Sequence, residues 1–245
     1  ENLLSMYAYS FQIYFDFSGY SDIAIGIALL LGYRLKENFD NPYGARNITS
    51  FWRKWHISLS LWLRDYIYIP LGGNRKGVFN TYLFLFITML VGGLWHGADW
   101  RFVFWGMAHG IALILHKGWT HFFPKQSEKW YYKILGIIIT FHFVGILWIF
   151  FRATSFESAF FSINQIFTAT SWIDFQGFWM TRPEVMYLLA FSSIIVFTSQ
   201  KWKQKIIDKI YLIPTFFWII LIAIALQVIL QFKDDVVEPF IYFQF

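Results

Sequence analysis

The chain has 245 residues, of which 57% are hydrophobic, 23% aromatic and only 14% charged. A soluble domain carries about 25% charged residues, so this composition excludes a water-soluble protein. The net charge of +5 is not gathered into a basic run interleaved with polar surface, which excludes a nucleic-acid binder, and the lack of cysteine excludes thiolate catalysis, disulfide bonds and cysteine-ligated metals.

Six apolar segments are predicted to cross a bilayer as helices, because each approaches the roughly 20 apolar residues that a crossing needs. They cover residues 7–33, 79–95, 101–116, 134–151, 186–200 and 211–232. A further segment, 55–71, is interrupted by Arg64 and Asp65 and predicts a re-entrant or broken helix enclosed by protein. With no internal repeat or linker, the chain is predicted to be an all-α, polytopic transmembrane helical bundle forming a single membrane domain over 1–245.

The first predicted span carries two carboxylates, Asp16 and Asp22. Ionisable groups at membrane depth are costly and usually face a cavity or a partner. The two carboxylates therefore favour a role in cross-linking helices or in pairing with a buried basic residue. A polysaccharide or ion transporter stays an alternative function. A transporter should show broken segments in corresponding halves, whereas one such segment is visible in this sequence.

A cationic loop and the broken segment follow the first span. Arg46 and Arg53 are placed to receive either the phosphates of a donor or the headgroups of membrane lipid, and the sequence leaves both open. His56, Ser60 and Arg64 recur every four residues and predict one polar stripe along a helix.

The turn after the second span contains the strongest candidate for a reactive group. His96 lies between Trp95 and Gly97, and an imidazole suits general-base work because its unperturbed pKa lies near neutral pH. Asp99 is placed either to orient His96 or to cap the next helix, and His109 is expected to serve packing or hydrogen bonding. Taken alone, a membrane histidine more often has a structural role. No metal-binding signature and no Gly-x-Ser-x-Gly elbow occurs.

The basic residues predict the orientation of the bundle. If 55–71 returns to the side from which it enters, the loops 34–54, 72–78, 117–133 and 201–210 share one side and carry 15 of the 20 Lys and Arg. Such an excess marks the cytoplasmic side. The turn with His96 then lies toward the outer face and His56 enters from the cytoplasmic side, so a reaction centre between them is open to both faces.

Several motifs made of unusual residue types follow one another along the chain. They resemble the bacterial branch of the membrane-bound O-acyltransferase family, which includes alginate and peptidoglycan O-acetylation proteins. The resemblance runs from near Tyr7 to about Lys117 and resumes at the C-terminus. The matching residues are Tyr14-Phe-Asp-Phe-Ser-Gly-Tyr-Ser-Asp22, Phe51-Trp-Arg-Lys-Trp-His-Ile-Ser-Leu-Ser60, Trp62-Leu-Arg-Asp-Tyr66, Tyr68-Ile-Pro-Leu-Gly-Gly-Asn-Arg75, Gly93-Leu-Trp-His-Gly97 and Phe240-Ile-Tyr-Phe-Gln-Phe245.

The resemblance implies that His96 is the family's essential histidine and that His56 is a second histidine lining the same tunnel. The other residues expected to line or support this tunnel are Trp95, Asp99, Trp100, Arg64, Asp65, His109, Asp16 and Asp22. Oxyanion donors are expected from Trp95, Trp100 or the backbone amides near Gly97.

The resemblance also implies substrates and partners. The acyl donor is expected to be acetyl-CoA or another acyl thioester from the cytoplasm, with no bound cofactor and no metal. The acceptor is expected to be a hydroxyl of an extracytoplasmic polysaccharide or carrier protein, with a periplasmic or extracellular acyltransferase as partner, at the bacterial inner membrane. The chain begins at Glu1 without Met, and it is expected to be the C-terminal part of a longer protein whose upstream helices complete the bundle.

Three alternatives stay open from the sequence. Within the family, the runner-up is D-alanyl transfer toward teichoic acid. Outside acyl transfer, the chain is a polysaccharide or ion transporter, or a non-catalytic membrane scaffold that recruits another acyltransferase.

Overall fold

The computed structural model describes residues 1–123, 129–168 and 172–231, and within these three stretches the chain is mostly helical and contains no strand. This confirms the predicted all-α class. The helices are, in chain order, α1 (Asn2–Leu30), α2 (Ile48–Trp52), α3 (Ile57–Leu63), α4 (Ile69–Leu71), α5 (Val78–His96), α6 (Trp100–Phe122), α7 (Trp130–Arg152), α8 (Phe156–Thr168), α9 (Trp172–Thr181), α10 (Pro183–Phe197), α11 (Gln200–Ile210) and α12 (Thr215–Gln231).

Three of the described helices, α1, α5 and α7, are long and apolar enough to cross a membrane. They coincide with the predicted spans 7–33, 79–95 and 134–151. Helix α6 has the same length as α7, but Arg101, His109 and Lys117 make it more polar than the other three. The predicted crossing of 101–116 therefore stays a prediction.

The C-terminal helices form two sharp bends that the hydropathy pattern did not predict. Residues Phe175–Thr181 meet Pro183–Phe197 at 104°, and Gln200–Ile210 meets Thr215–Gln231 at 118°. Proline follows each break, at Pro183 and Pro214, and its missing N–H prevents a helix from continuing through. Counting each bent pair as one span raises the number of possible crossings among the described residues to five. The predicted span 186–200 is displaced toward the N-terminus, to Pro183–Phe197, and the predicted span 211–232 is shorter as a helix. Residue 232 and the motif 240–245 lie outside the described residues.

The segment 55–71 is helical from Ile57 to Leu71, and the predicted interruption at Arg64 and Asp65 is a change of helix type rather than a gap. Helix α3 passes into one π-helical stretch, Arg64–Tyr68, and then into α4, which ends at a turn where Gly72 and Gly73 take φ of 128° and 59°. Glycine adopts such angles readily because it has no Cβ atom. The predicted polar stripe is wrong, because His56 precedes the helix with a left-handed φ of 43° and is buried, whereas Arg64 is exposed.

Helices α5 and α6 pack with their backbones almost in contact. A Cβ atom added to Gly93 would lie 2.3 Å from the Phe102 carbonyl oxygen, and one added to Gly106 would lie 2.4 Å from the Met89 carbonyl oxygen. Small residues permit this approach in membrane bundles, where packing replaces the hydrophobic effect as the force between helices. The pair Gly93 and Gly106 therefore fixes the position of His96 relative to the first turn of α6.

We expect Gly106→Ala to destabilise the protein, because backbone atoms of α5 cannot move away from the added methyl group as a flexible side chain would. Overpacking of this kind costs about 1–3 kcal/mol. The loss is measurable as a lower thermal unfolding temperature of the detergent-solubilised full-length protein. Gly26→Ala is the matched control, since a Cβ at this helical position meets nothing within 4 Å. Equal unfolding temperatures for the two variants would contradict the close contact.

Candidate active site

His96 is the last residue of α5 and points into an aromatic enclosure. Its side chain is only 7% exposed. Its ring centroid lies 5.2 Å from that of Trp105, 5.0 Å from that of Phe151 and 4.9 Å from that of Trp95. Residues from α5, α6 and the end of α7 thus surround one imidazole at the end of a spanning helix.

His56 lies on the other side of Trp95 and is held by polar neighbours. Its ring centroid is 6.1 Å from that of Trp95 and 4.6 Å from that of Phe17 in α1. Its Nδ1 atom is 3.3 Å from both the Asn38 Oδ1 and the Ser58 Oγ atoms. Since Ser58 Oγ already donates to Asn38 Oδ1 at 2.9 Å, both neighbours accept from Nδ1–H, and the lone pair of the His56 ring then resides on Nε2.

The structure therefore brings together the two histidines that the sequence singled out. Trp95 contacts both rings, and its own side chain is 53% exposed.

A second pair of buried polar groups lies behind His96. The His109 Nδ1 atom accepts from Trp52 Nε1 at 3.3 Å, and the ring centroid of Trp105 is 4.6 Å from that of His109. Among the described residues, the Trp105 Nε1 and His109 Nε2 atoms are buried without a hydrogen-bond partner. A buried N–H donor without a hydrogen-bond partner costs about 1–3 kcal/mol of folding stability. Such a donor is typical of a functional position.

Asp99 caps α6 rather than orienting His96. Its carboxylate accepts from the Arg101 backbone N–H at 2.8 Å and pairs with the Arg101 guanidinium at 2.9 Å, and these bonds hold the pKa of Asp99 below its usual range. Arg101 also donates to the Ala153 carbonyl oxygen, which ties the cap to the end of α7. Trp100 is 77% exposed, so of the predicted oxyanion donors neither Trp100 nor the half-exposed Trp95 is enclosed beside His96.

The remaining predicted site residues lie on exposed surfaces of the described chain. Asp16, Asp22 and Arg46 are exposed. Arg64 and Asp65 form an exposed ion pair of 2.6 Å with each other. Their supporting roles stay predictions.

A basic cavity opens beside the π-helical stretch. It has a volume of about 730 Å³, and the Gly72–Gly73 turn and His116 are among its walls. Its cationic lining residues are Arg53, Arg64, Arg75 and Lys117. A neighbouring, more apolar cavity of about 410 Å³ shares Arg53 and Arg64 and reaches Trp52. Trp52 contacts Trp105 at 5.5 Å between ring centroids, and Trp105 contacts His96. Trp52 and Trp105 therefore separate the apolar cavity from His96. The two cavities together fit a ligand with a phosphate-bearing head and an apolar or thioester tail.

A smaller cavity of about 350 Å³ lies between α1, the end of α7 and α8. Its lining is rich in hydroxyl groups, including Tyr9, Ser158 and Ser162, and contains Arg152. Arg152 follows Phe151, whose ring contacts His96. The histidine is therefore separated by one or two side chains from a cavity on either side of it.

Sequence reasoning missed four residues of this arrangement. They are Asn38, which holds His56, Trp105 and Trp52, which connect His96 to His109, and His116, whose Nδ1 atom is 2.8 Å from Thr49 Oγ1 at the basic cavity. Asn38 belongs to a polar loop in which asparagine is an ordinary turn residue. Trp105 lies in apolar sequence in which aromatic residues abound, and no local signal separated it from lipid-facing ones. Trp52 belongs to the matching motif 51–60, but its spacing did not show which rings it contacts.

Comparison with known proteins identifies the family of this chain. A model of the membrane-bound O-acyltransferase family matches residues 3–160. A peptidoglycan O-acetyltransferase of Helicobacter pylori is 51% identical over 155 residues, which cover 62% of this chain and 29% of that protein. A probable alginate O-acetylase AlgI of Pseudomonas putida is 47% identical over 172 residues, covering 69% and 34% of the two chains. A teichoic acid D-alanyltransferase of Bacillus subtilis is 36% identical over 159 residues, covering 58% and 39%.

The chain thus spans about a third of the length of the curated relatives it matches. The matched residues include α1 to α7, both histidines and the basic cavity. The resemblance seen in the sequence motifs is confirmed, and the chain belongs to the membrane-bound O-acyltransferase family.

Proposed function

We propose that the protein transfers an acyl group, most simply acetyl, from a cytoplasmic thioester to a hydroxyl of an extracytoplasmic polysaccharide or carrier protein. The observation that carries this proposal is the pair of buried histidines in contact with Trp95, inside the region that matches the family. The family membership and the two O-acetylation relatives support acetyl as the group transferred.

The proposed reaction needs one base, which is His96, and one leaving group, which is the thiolate of the donor. His96 accepts the proton of the acceptor hydroxyl as its oxygen attacks the thioester carbonyl carbon. A tetrahedral oxyanion forms, and a donor enclosed beside His96 stabilises it. The C–S bond then breaks, the C–O bond of the ester remains, and the thiolate takes the proton back from His96. His56, with its lone pair on Nε2, is placed to bind the acceptor hydroxyl.

We assign Trp105 as the oxyanion donor. Its indole N–H is buried without a partner among the described residues, and its ring lies against His96. This replaces the expected donors Trp95 and Trp100. The assignment explains why a membrane protein retains a polar donor in an otherwise apolar enclosure.

The basic cavity supports a donor that carries phosphates, such as acetyl-CoA or the phosphopantetheine arm of a carrier protein. Arg53 and Lys117 line this cavity, and four cationic loops are predicted on the cytoplasmic side. Arg46 does not appear in this lining, so the proposed phosphate contacts rest on Arg53 and Lys117.

We expect Arg53→Gln to raise the KM for the thioester donor about tenfold while kcat changes little. One lost charge-assisted hydrogen bond weakens ground-state and transition-state binding alike by about 1.5–3 kcal/mol. Initial rates across donor concentrations, measured with the full-length protein in proteoliposomes, test this. Arg34→Gln, which removes the same charge from the exposed residues beyond α1, is the matched control. Equal KM values for the two variants would contradict a donor phosphate at this cavity.

D-Alanyl transfer toward teichoic acid is the second candidate, favoured by the 36% identity to the Bacillus subtilis protein. Purified membranes supplied with acetyl and D-alanyl thioesters separate the two, and we expect transfer of acetyl. The proposed location is the bacterial cytoplasmic membrane, crossed several times, with a periplasmic acyltransferase as partner in delivering the group to polysaccharide. Further helices of the same protein are proposed to complete the bundle around α1.

A further inference from the structure

Helix α11 carries two chemically different faces. Lys201, Lys205 and Lys209 are spaced four residues apart, and so are Trp202, Ile206 and Ile210. With 3.6 residues per turn, each set forms one stripe, and the two stripes follow different sides of the helix. The three lysines and the first two apolar residues are all exposed, so neither face is covered by the described chain.

A fourth lysine, on the apolar side of α11, ties the helix to the bundle. Lys203 is half-buried and donates from Nζ to the Asn41 Oδ1 atom at 3.2 Å. Asn41 donates in turn to the Thr198 carbonyl oxygen at 3.3 Å. This contact fixes the roll of α11, so that the stripe of Lys201, Lys205 and Lys209 points away from the protein.

The bend after α11 determines how the helix lies in the membrane. Helix α12 contains no charged residue and meets α11 at 118°. If α12 runs across the bilayer, α11 is within about 30° of the membrane plane, as an interfacial amphipathic helix is. The basic residues of its loop place it on the cytoplasmic side, where the leaflet carries anionic lipids.

We propose that α11 lies in the cytoplasmic interface of the bilayer and binds the phosphate headgroups of anionic phospholipids through Lys201, Lys205 and Lys209. Trp202 and Ile206 enter the acyl-chain boundary beneath them. The charge of the helix is complementary to this occupant, since four lysines oppose the single Asp208. The family match ends at residue 160, so this surface lies outside the matched region, and the proposal is independent of acyl transfer.

The first test measures depth. Nitroxide labels are placed on the full-length protein in phosphatidylglycerol-containing nanodiscs through Ile206→Cys and, on the opposite side of the helix, Gln204→Cys. We expect the label at position 206 to collide with oxygen and to be shielded from a water-soluble nickel reagent, and the label at position 204 to show the reverse. Equal access of the nickel reagent to both labels would overturn the interfacial position.

The second test measures lipid selectivity. The test variant combines Lys201→Gln, Lys205→Gln and Lys209→Gln. We expect the preference of this site for spin-labelled phosphatidylglycerol over phosphatidylcholine to fall about fivefold for each lysine removed. Arg34→Gln, Lys36→Gln, Lys129→Gln removes the same charge elsewhere and should keep the preference at α11. Unchanged selectivity in the α11 variant would overturn the proposal. A further outcome is that the α11 variant keeps its lipid selectivity but, in lipid-free detergent, no longer transfers the acyl group from a carrier-bound donor. That result would reassign the surface to an acidic protein.

Discussion

The His96→Ala protein is expected to insert and fold normally yet to lose at least about a hundredfold of its kcat for acyl transfer. A positioned general base contributes about 10²–10⁴ to the rate. His96 is the histidine whose ring contacts Trp105, Phe151 and Trp95 together. The rate is measured in proteoliposomes with saturating thioester donor and the native acceptor. Loss of kcat rather than of donor affinity is the signature of a group that acts in the transition state.

His121→Ala is the matched control for this experiment. His121 lies in the last turn of α6 and is exposed, so its removal should leave the rate unchanged. His96→Gln keeps a polar side chain of similar length and separates loss of the base from loss of packing. Full acylation by a correctly inserted His96→Ala protein would refute the base, and it would favour a scaffold that recruits another acyltransferase.

Trp105→Phe is expected to lower kcat by about 10²-fold while leaving the KM for the thioester donor nearly unchanged. Phenylalanine keeps an aromatic ring at this position but lacks the pyrrole ring and its N–H, so the variant removes the donor and also reduces packing against His96, His109 and Trp52. Loss of a single oxyanion donor costs about 10²–10³ in kcat. Single-turnover measurements with excess protein isolate the chemical step from product release.

Trp148→Phe separates catalysis from packing in the same enclosure. Trp148 is as buried as Trp105 and stacks on it at 5.9 Å between ring centroids, but its N–H donates to the Tyr43 hydroxyl at 3.0 Å. We expect this variant to lower the unfolding temperature more than the rate. If both variants reduce kcat equally, the effect of Trp105 is one of packing and the oxyanion assignment is wrong.

The sequence singled out the two histidines that the structure brings together, because its signals there are unusual. Histidines beside tryptophan and glycine in apolar sequence are rare, and their order along the chain carried the family resemblance. The spans α1, α5 and α7 followed from length and hydropathy alone. These features depend on residue type and spacing, which a single sequence records directly.

Other features depend on the direction of the backbone, which hydropathy does not report. The left-handed turn at His56 places its ring beside Trp95, although the four-residue spacing suggested a helix through Ser60 to Arg64. The cap formed by Asp99 and Arg101 was one of two readings that spacing could not separate. The partners Asn38 and Trp105 come from distant segments, and nothing in their local sequence indicates that they meet the histidines.

The bends at Pro183 and Pro214 show the same limit. Both prolines were visible, but a proline indicates where a helix stops and gives no angle for the next one. The loop 201–210 appeared in the sequence as a cytoplasmic connection rich in lysine. Its two faces, and its tether through Lys203 to Asn41, became apparent only with the 118° turn into α12.

The central claim is that a thioester carbonyl reaches an enclosure formed by His96, Trp105 and His56. The most direct measurement is a structure of the full-length protein with a non-hydrolysable acyl thioester analogue bound from the cytoplasmic side. We predict the analogue's head at Arg53 and Lys117 and its carbonyl about 3–3.5 Å from where an acceptor hydroxyl contacts His96. A carbonyl that ends outside this enclosure, with His96 sealed from it by closed side chains, would contradict the account.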